Sequence, residues 1–259
     1  MQQADKAKSS GVALVTGAAQ RIGHVIACDL ASAGWSIALH YHRSEKAARE
    51  TCAKIRSDGG TAEMFQADLA DCSGLSGLIG DAAAKLGPVT CLINNASLFE
   101  FDDIASMTPN LWQAHMAVNL QAPVFLAQAM AAALPAGHNG NIINIIDQRV
   151  WKLNPCFFSY TISKSALWTA TRTLAQALAP RIRVNAIGPG PTLANTRQTA
   201  ESFARQQQAT PLGRGATPGE IAAGVRFILD APALTGQMIA LDGGQHLAWQ
   251  TPDITQAQE

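Results

Sequence analysis

The sequence predicts an α/β fold: a doubly wound parallel sheet of about seven strands with helices on both faces. Three observations point there. Short apolar runs alternate with longer stretches of helical spacing along most of the chain. Right-handed crossovers between such strands place helices on both faces of a parallel sheet. Residues 141–146, Asn-Ile-Ile-Asn-Ile-Ile, are too short for a helix and read as a strand buried on both faces, as parallel strands are. The length of 259 residues and a hydrophobic content of 47% suffice to bury one large core, so the whole chain reads as a single domain.

In chain order, residues 12–15 form a short apolar strand. The next eight, Thr-Gly-Ala-Ala-Gln-Arg-Ile-Gly, turn the chain into a helix with Ile22, Ile26, Leu30 and Ala33 on its apolar face, and Gly34 stops it. Residues 35–41 make a second strand, followed by His42-Arg43-Ser44 and a helix over 45–57. After the Asp58-Gly59-Gly60 turn, residues 62–67 make a third strand that ends at Asp68. A helix from about residue 73 closes at Gly87-Pro88, and residues 89–93 make a fourth strand leading into Asn94-Asn95-Ala96-Ser97.

Thr108-Pro109 opens a long helix with a capping residue and a proline at its first position, and Pro123 predicts a bend in it. The fifth strand, 141–146, follows the Asn139-Gly140 turn; helical spacing returns at Ser159 and ends before Pro180. Residues 182–187 make a sixth strand, broken by Gly188-Pro189-Gly190-Pro191. Residues 191–215 are polar and lack sustained periodicity, which predicts a lid or substrate loop. Thr217-Pro218-Gly219-Glu220 is a capping box; its helix reaches Leu229, and residues 238–241 make the seventh strand. Residues 1–10 and 251–259 read as flexible tails.

Composition narrows the function. The formal net charge is zero and no basic run exceeds two residues, which argues against nucleic acid as a partner. The first ten residues carry no apolar core of a secretory signal. The longest apolar stretch, 122–136, is interrupted by Gln128 and Pro135 and reads as too short for a membrane span. Cys28, Cys52, Cys72, Cys91 and Cys156 show neither metal spacing nor a disulfide framework, and suit a reducing cytoplasm. His24, His115, His138 and His246 are scattered and read as neither ligands nor catalysts; no metal is expected.

The chemistry concentrates at the carboxyl ends of the strands, where open α/β sheets bind ligands. Tyr160 and Lys164 lie one helical turn apart on one face. An ammonium there favours the phenolate, lowering the phenol from about 10 into the range of a usable proton donor. Asp147 ends the buried fifth strand thirteen residues earlier. Gly17 permits a tight turn and Gly23 close helix-to-strand packing, so the backbone between them can receive a pyrophosphate. The middle glycine of the usual fingerprint is absent, and Arg21 stands near its place. An NAD site wants an acid at the end of strand two; His40-Tyr-His-Arg-Ser44 has none. Arg21, Arg43 and Ser44 instead suit a 2′-phosphate, which points to NADPH.

Thr16-Gly-x-x-x-Arg-x-Gly23, Asp68, Asn94-Asn95-Ala96, Asn119, Tyr160-x-x-x-Lys164, Pro189-Gly190 and Asp242-Gly-Gly244 resemble the short-chain dehydrogenase/reductase family over nearly the whole chain. Arg21, the His40–Ser44 run, Ser97, Phe99 and Asp147 are most similar to pteridine reductases and bacterial dihydromonapterin reductases. In most of the family a serine stands at the place of Asp147 and a glycine at that of Ser97. The resemblance implies a Rossmann fold with Tyr160 as proton donor, Lys164 on the nicotinamide ribose and Asn119 anchoring a water chain behind it. It implies Asp68 at the adenine, Asn95, Ala96 and Ser97 along the ribose and phosphates, and Arg21, His42, Arg43 and Ser44 on the phosphates. Gly17, Ile22, Gly23, Leu69, Pro189 and Gly190 complete the implied cofactor site. Phe99 would stack on a flat ring, with Arg21, Ser97, Asp147 and Tyr160 also meeting the substrate. A homotetramer built on dimers, paired through the long helix and the Tyr160 helix, is the expected assembly.

Asp147 divides the possible functions. A serine there donates to a ketone oxygen, whereas a carboxylate repels a developing alkoxide and raises a neighbouring phenol. It suits a C=N substrate whose nitrogen takes a whole proton, or a heterocycle offering N–H donors; a pterin is both. The competing readings are an Asp147 that only caps a loop, a carbonyl or 3-oxoacyl reductase, and a non-catalytic NADPH sensor. Intact Asn119, Tyr160 and Lys164 weigh against the sensor.

Overall fold

The computed structural model describes residues 11–250, Thr196 excepted, so the tails expected at 1–10 and 251–259 lie outside the described residues. The strands are β1 (Gly11–Val15), β2 (Trp35–Tyr41), β3 (Ala62–Gln66), β4 (Val89–Asn94), β5 (Gly140–Ile145), β6 (Ile182–Pro189) and β7 (Met238–Leu241). They form one parallel sheet in the order β3-β2-β1-β4-β5-β6-β7. Alternate side chains serve opposite layers. Ala13 and Val15 pack with Ile26 and Leu30 of α1 (Arg21–Ser32) and Val225 and Ile228 of α8 (Pro218–Asp230). Val12 and Leu14 pack with Leu78 and Ile79 of α3 (Leu75–Leu86) and Leu126 and Met130 of α5 (Ala122–Ala133). Helix α2 (Glu45–Ser57) lies with the first layer, through Ala48, Cys52 and Ile55.

Strand β1 has β2 on one side and β4 on the other, so the crossovers reverse there and leave a crevice at the strands' carboxyl ends. Helix α6 (Phe158–Leu178) stops where Ala179 turns extended ahead of Pro180. Thr217 and Glu220 make both bonds of the capping box.

Two expectations change. The bend near Pro123 is a π-helical turn, Ala117–Gln121, between α4 (Pro109–Met116) and α5. In that turn the Ala122 N–H reaches the Ala117 carbonyl, five residues back. Proline at 123 has no N–H for the Asn119 carbonyl, which favours such a break in the ladder. The folded helix over 109–133 is long and apolar enough by length and composition to cross a membrane, beyond what the stretch 122–136 suggested; its Leu126, Ala127 and Met130 are buried in the core. Second, residues 191–215 contain a helix, α7 (Ala200–Gln208), capped by Thr199. It has no buried residue, so no apolar stripe marked it in the sequence.

Candidate active site

The cofactor end is built from the reversal of the sheet. Thr16 Oγ1 donates to the Ile93 carbonyl at 3.3 Å and accepts the N–H groups of Asn95 (2.9 Å) and Ala96 (3.0 Å). Asn95 Nδ2 donates back to the carbonyls of Thr16 (2.9 Å) and Gly17 (3.2 Å). Gly17 sits at φ +62°, and a Cβ on it would lie 3.0 Å from Ala96 Cα; one on Gly23 would lie 2.4 Å from the Gly17 carbonyl oxygen. Both sites therefore require glycine. Beneath the turn, the Gly17 N–H donates to His40 Nδ1 at 3.1 Å, and Nε2 of the same ring bonds the Ala67 carbonyl at 3.2 Å. Burial pushes this imidazole down to about 4, so at neutral pH it accepts at Nδ1 and donates at Nε2. Helix α1 follows with no side-chain cap and no acid in its first turn, which leaves its N–H groups for an anion.

At the end of β2, His42 and Arg43 are exposed, Arg43 has no ion pair among the described residues, and Ser44 makes no capping bond to α2. Arg21 does not join them. Its backbone is left-handed at φ 56°, and its guanidinium donates to the carbonyls of Ala194 (2.9 Å) and Leu193 (3.2 Å) in the 191–215 segment. A cleft of about 1040 Å³ spans this end and the catalytic end. Every site residue read from the sequence lines it except Asp68, Leu69 and Asn119. Asp68 accepts the Ala70 N–H at 2.9 Å and lies 3.7 Å from His42 Nε2, and the Leu69 side chain is buried in the core. Both residues lie just past the end of β3, next to the cleft that His42 lines.

At the catalytic end, β5 and α6 bring the half-buried Asp147 together with the buried Tyr160 and Lys164. The Tyr160 hydroxyl donates to Asp147 Oδ2 at 3.0 Å, and Asp147 Oδ1 accepts the Arg149 N–H at 2.8 Å. Asp147 thus caps its loop and still faces the phenol. Lys164 Nζ donates to the Ile145 carbonyl at 2.8 Å and stands 5.9 Å from the centre of the Tyr160 ring. The expectation that Lys164 lowers the phenol is overturned here. Burial, then the Asp147 charge, holds Tyr160 well above its ordinary value, and the opposing groups are Arg149 and Ser97. Burial likewise raises the Asp147 carboxyl and lowers Lys164 to about 8. Carboxyl and phenol share one hydrogen bond, so the protonation of each depends on that of the other.

Asn119 is fixed through its side chain. Its Oδ1 accepts the Leu98 N–H (2.8 Å) and the Ser97 hydroxyl (3.2 Å), and its Nδ2 donates to the Leu98 carbonyl (2.9 Å) and Ser163 Oγ (3.0 Å). The side-chain amide is fully used, and it pins the segment that carries Ser97 and Phe99. A water behind Lys164 would have to be held by the Asn119 main-chain carbonyl.

Aromatic and basic side chains finish the cleft. The rings of Phe99 and Phe157 stack at 4.3 Å and 9°, and Phe99 meets Tyr160 edge-on at 4.7 Å. Arg197 lies 5.6 Å over Phe99 and donates to the Phe99 carbonyl (2.6 Å) and the Glu100 carboxylate (2.5 Å). Arg149 lies 5.3 Å over Phe157. Sequence reading gave no role to His40, Phe157 or Arg197. Each acts through a partner distant in sequence, and none belongs to a short motif.

Comparison with known proteins agrees with this layout. The chain matches the short chain dehydrogenase family over residues 11–206. A crystal structure of FolM alternative dihydrofolate reductase 1 from Brucella canis, complexed with NADP, superimposes with a TM-score of 0.92 at 53% identity, covering 95% of this chain and 98% of that one. Its counterpart from Brucella suis, also in complex with NADP, gives the same values. Among curated relatives, the 3-oxoacyl-[acyl-carrier-protein] reductase of Synechocystis sp. is 33% identical over 244 residues, 92% of this chain and 98% of that protein.

The Asp147 carboxyl yields a stability prediction. Its folded pKa lies above the ordinary 3.8, so folding favours the protonated form. Below pH 3.8 the group makes no difference; as pH rises through the folded value, ionising it costs stability. In the cofactor-free protein, Asp147→Asn should therefore gain Tm over wild type between acidic and neutral pH, with no gain near pH 3. Thermal melts across that range check this, and an Asn protein less stable at every pH would contradict it.

Proposed function

Since the chain belongs to the short-chain dehydrogenase family, we propose that it is an NADPH-dependent reductase of a pterin or dihydropterin ring, acting at C=N. One observation carries the reading: a half-buried carboxyl, Asp147, is bonded to the Tyr160 phenol at 3.0 Å, where a ketone reductase would need a neutral donor. The FolM proteins of Brucella, named alternative dihydrofolate reductases and complexed with NADP, support it.

The residues present fit a 2′-phosphorylated dinucleotide. Arg43 has no ion pair among the described residues and the Ser44 hydroxyl makes no cap, which leaves both for a phosphate, although Glu45 follows in the first turn of α2 and Asp68 lies 3.7 Å from His42. These two with His42 would hold the 2′-phosphate, and the turn at Gly17 with the first turn of α1 would hold the pyrophosphate. Lys164 would hold the ribose, with Pro189 and Gly190 at the nicotinamide end. The bound nicotinamide supplies the hydride.

The protein's part is the proton. With Asp147 ionised, the Tyr160 hydroxyl points its hydrogen at the carboxylate. With Asp147 protonated, the carboxyl donates to the phenol oxygen and frees the phenol hydrogen for the substrate nitrogen. Tyr160 gives that proton up and takes the carboxyl's in return, and solvent reprotonates Asp147. Burial raises both groups, which keeps the proton on the pair nearer to neutrality. Phe99 and Phe157 supply flat apolar faces for a planar ring. The second reading, a 3-oxoacyl reductase, is favoured by the likeness to the Synechocystis enzyme.

Oxidation of NADPH against a panel of dihydropterins, dihydrofolate and 3-oxoacyl thioesters separates the two. On a pterin, kcat should fall as pH rises through the pair's apparent pKa. Tyr160→Phe should cut turnover by roughly two to four orders of magnitude with NADPH binding nearly intact. Asp147→Ser should cost far more than tenfold on pterins yet leave ketone reduction equal or improved; the reverse pattern moves the protein to the carbonyl reductases.

Cofactor choice gives an independent check. A charge-assisted contact worth about 1.5–3 kcal/mol makes NADPH preferred over NADH by well over tenfold. Arg43→Ala should erode that preference mainly through the KM for NADPH. Equal kcat/KM for both cofactors in wild type would refute the assignment of the 2′-phosphate site.

A further inference from the structure

Beside the cleft, outside the catalytic cluster, Asp102, His115 and Ser159 meet with no exposure to solvent. These are the residue types of a hydrolytic triad, joined in a different order. The backbone N–H of Glu100 donates to His115 Nε2 at 3.2 Å, so in the neutral ring the hydrogen sits on Nδ1. Burial favours that neutral form by lowering the imidazole. Nδ1–H then donates to Ser159 Oγ at 2.6 Å, and the serine hydroxyl donates in turn to Asp102 Oδ2. The serine proton thus rests on a carboxylate, and the histidine is a donor to Oγ instead of a base. Nothing here makes a nucleophile.

The cluster solves a different problem. Helix α6 begins at Phe157, which has φ 57° and no side-chain cap. Its first N–H groups find acceptors in a residue 57 positions away: the Ser159 N–H donates to Asp102 Oδ1 at 3.1 Å, and the Phe158 N–H to the Asp102 carbonyl at 3.2 Å. Residues 100 and 102 are therefore both fastened to the start of α6, one through His115 and Ser159 and the other directly. Between the cleft and this anchor stands Phe99, edge-on to Tyr160 at 4.7 Å.

We infer that Asp102, Ser159 and His115 are positioning residues that lock the segment bearing Phe99 to the helix bearing Tyr160, so that the ring-binding face and the proton donor keep one geometry. They touch neither cofactor nor substrate and act through Tyr160 and Phe99. The inference rests on Tyr160 as the proton donor, and not on the substrate being a pterin.

The test uses Ser159→Ala, with Asp102→Asn as a second variant, in the full-length protein with NADPH. On whichever substrate of the panel is turned over, kcat should fall by roughly tenfold or more, as small misplacements of a catalytic group cost. NADPH affinity, read by its fluorescence, should stay within about twofold, since the cofactor residues are untouched. In a Tyr160→Phe background the same Ser159→Ala change should cost less than about twofold in kcat, because the group it positions is gone. Equal cost in both backgrounds, or full kcat with only a lowered Tm, overturns the inference. Hydrogen exchange supplies a readout that needs no substrate. Ser159→Ala should speed exchange over residues 99–102 and 158–161 together, leaving 170–178 unchanged. Loosening of one segment alone, or of neither, also overturns it.

Discussion

The hydroxyl of Thr16 makes three hydrogen bonds where the order of strands reverses, and the rest of the site hangs from that junction. A parallel sheet whose crossovers diverge leaves a gap between the ends of β1 and β4. Left unbridged, the gap would expose main-chain groups of both strands to a solvent-filled crevice. Thr16 closes it with one side chain, and Asn95 closes it again from the other direction. His40 then holds the Gly17 N–H from below. The turn is fixed before any ligand arrives, so little ordering entropy is left for binding to cost.

Past this junction the fold carries a burden. Asp147, Tyr160 and Lys164 are three ionisable groups packed together at the wall of the cleft. Desolvation is the largest cause of the shift at each of them, ahead of their mutual attractions. A core optimised for stability would replace them with apolar residues of the same volume. What such a core would lack is a proton held close to neutrality in a fixed place. The carboxyl-to-phenol contact stores that proton between two oxygens that each prefer to keep it, and the surrounding sheet and helix bear the cost.

Much of this was legible in the sequence because it is local. The run 141–146 could only be a strand by length, and Tyr160 and Lys164 could only share a face if their segment was helical. The glycine turn, the missing acid after β2 and the aspartate at the end of β5 followed from residue type and position. What stayed hidden depends on contacts across the fold. Arg21 looked like a phosphate ligand, but the loop it bonds lies more than 170 residues away. Lys164 looked like the group that would acidify the phenol, yet burial and a carboxylate outweigh an ammonium that is occupied by a carbonyl. Helix α7 hid because it buries nothing, and Asp102 hid because its partners are on α4 and α6.

The loop over the cleft shows how such distant contacts cooperate. Arg21, at the start of α1, holds it at Leu193 and Ala194, and Arg197 returns the tie to Phe99 and Glu100. Glu100 in turn gives its N–H to His115, which reaches Ser159 and the head of α6. Contacts made by the loop therefore link the start of α1 at one of its ends to Phe99, and through Glu100 and His115 to the head of α6, at the other. The exposed ion pair of Arg197 with Glu100 contributes little stability by itself. Its consequence lies in geometry, because it holds an arginine on one aromatic ring while that ring stacks on a second. On the reading proposed above, a flat substrate entering beside Phe99 would have to displace or join that stack, and Phe99, Phe157 and the arginine of the loop would set its affinity jointly.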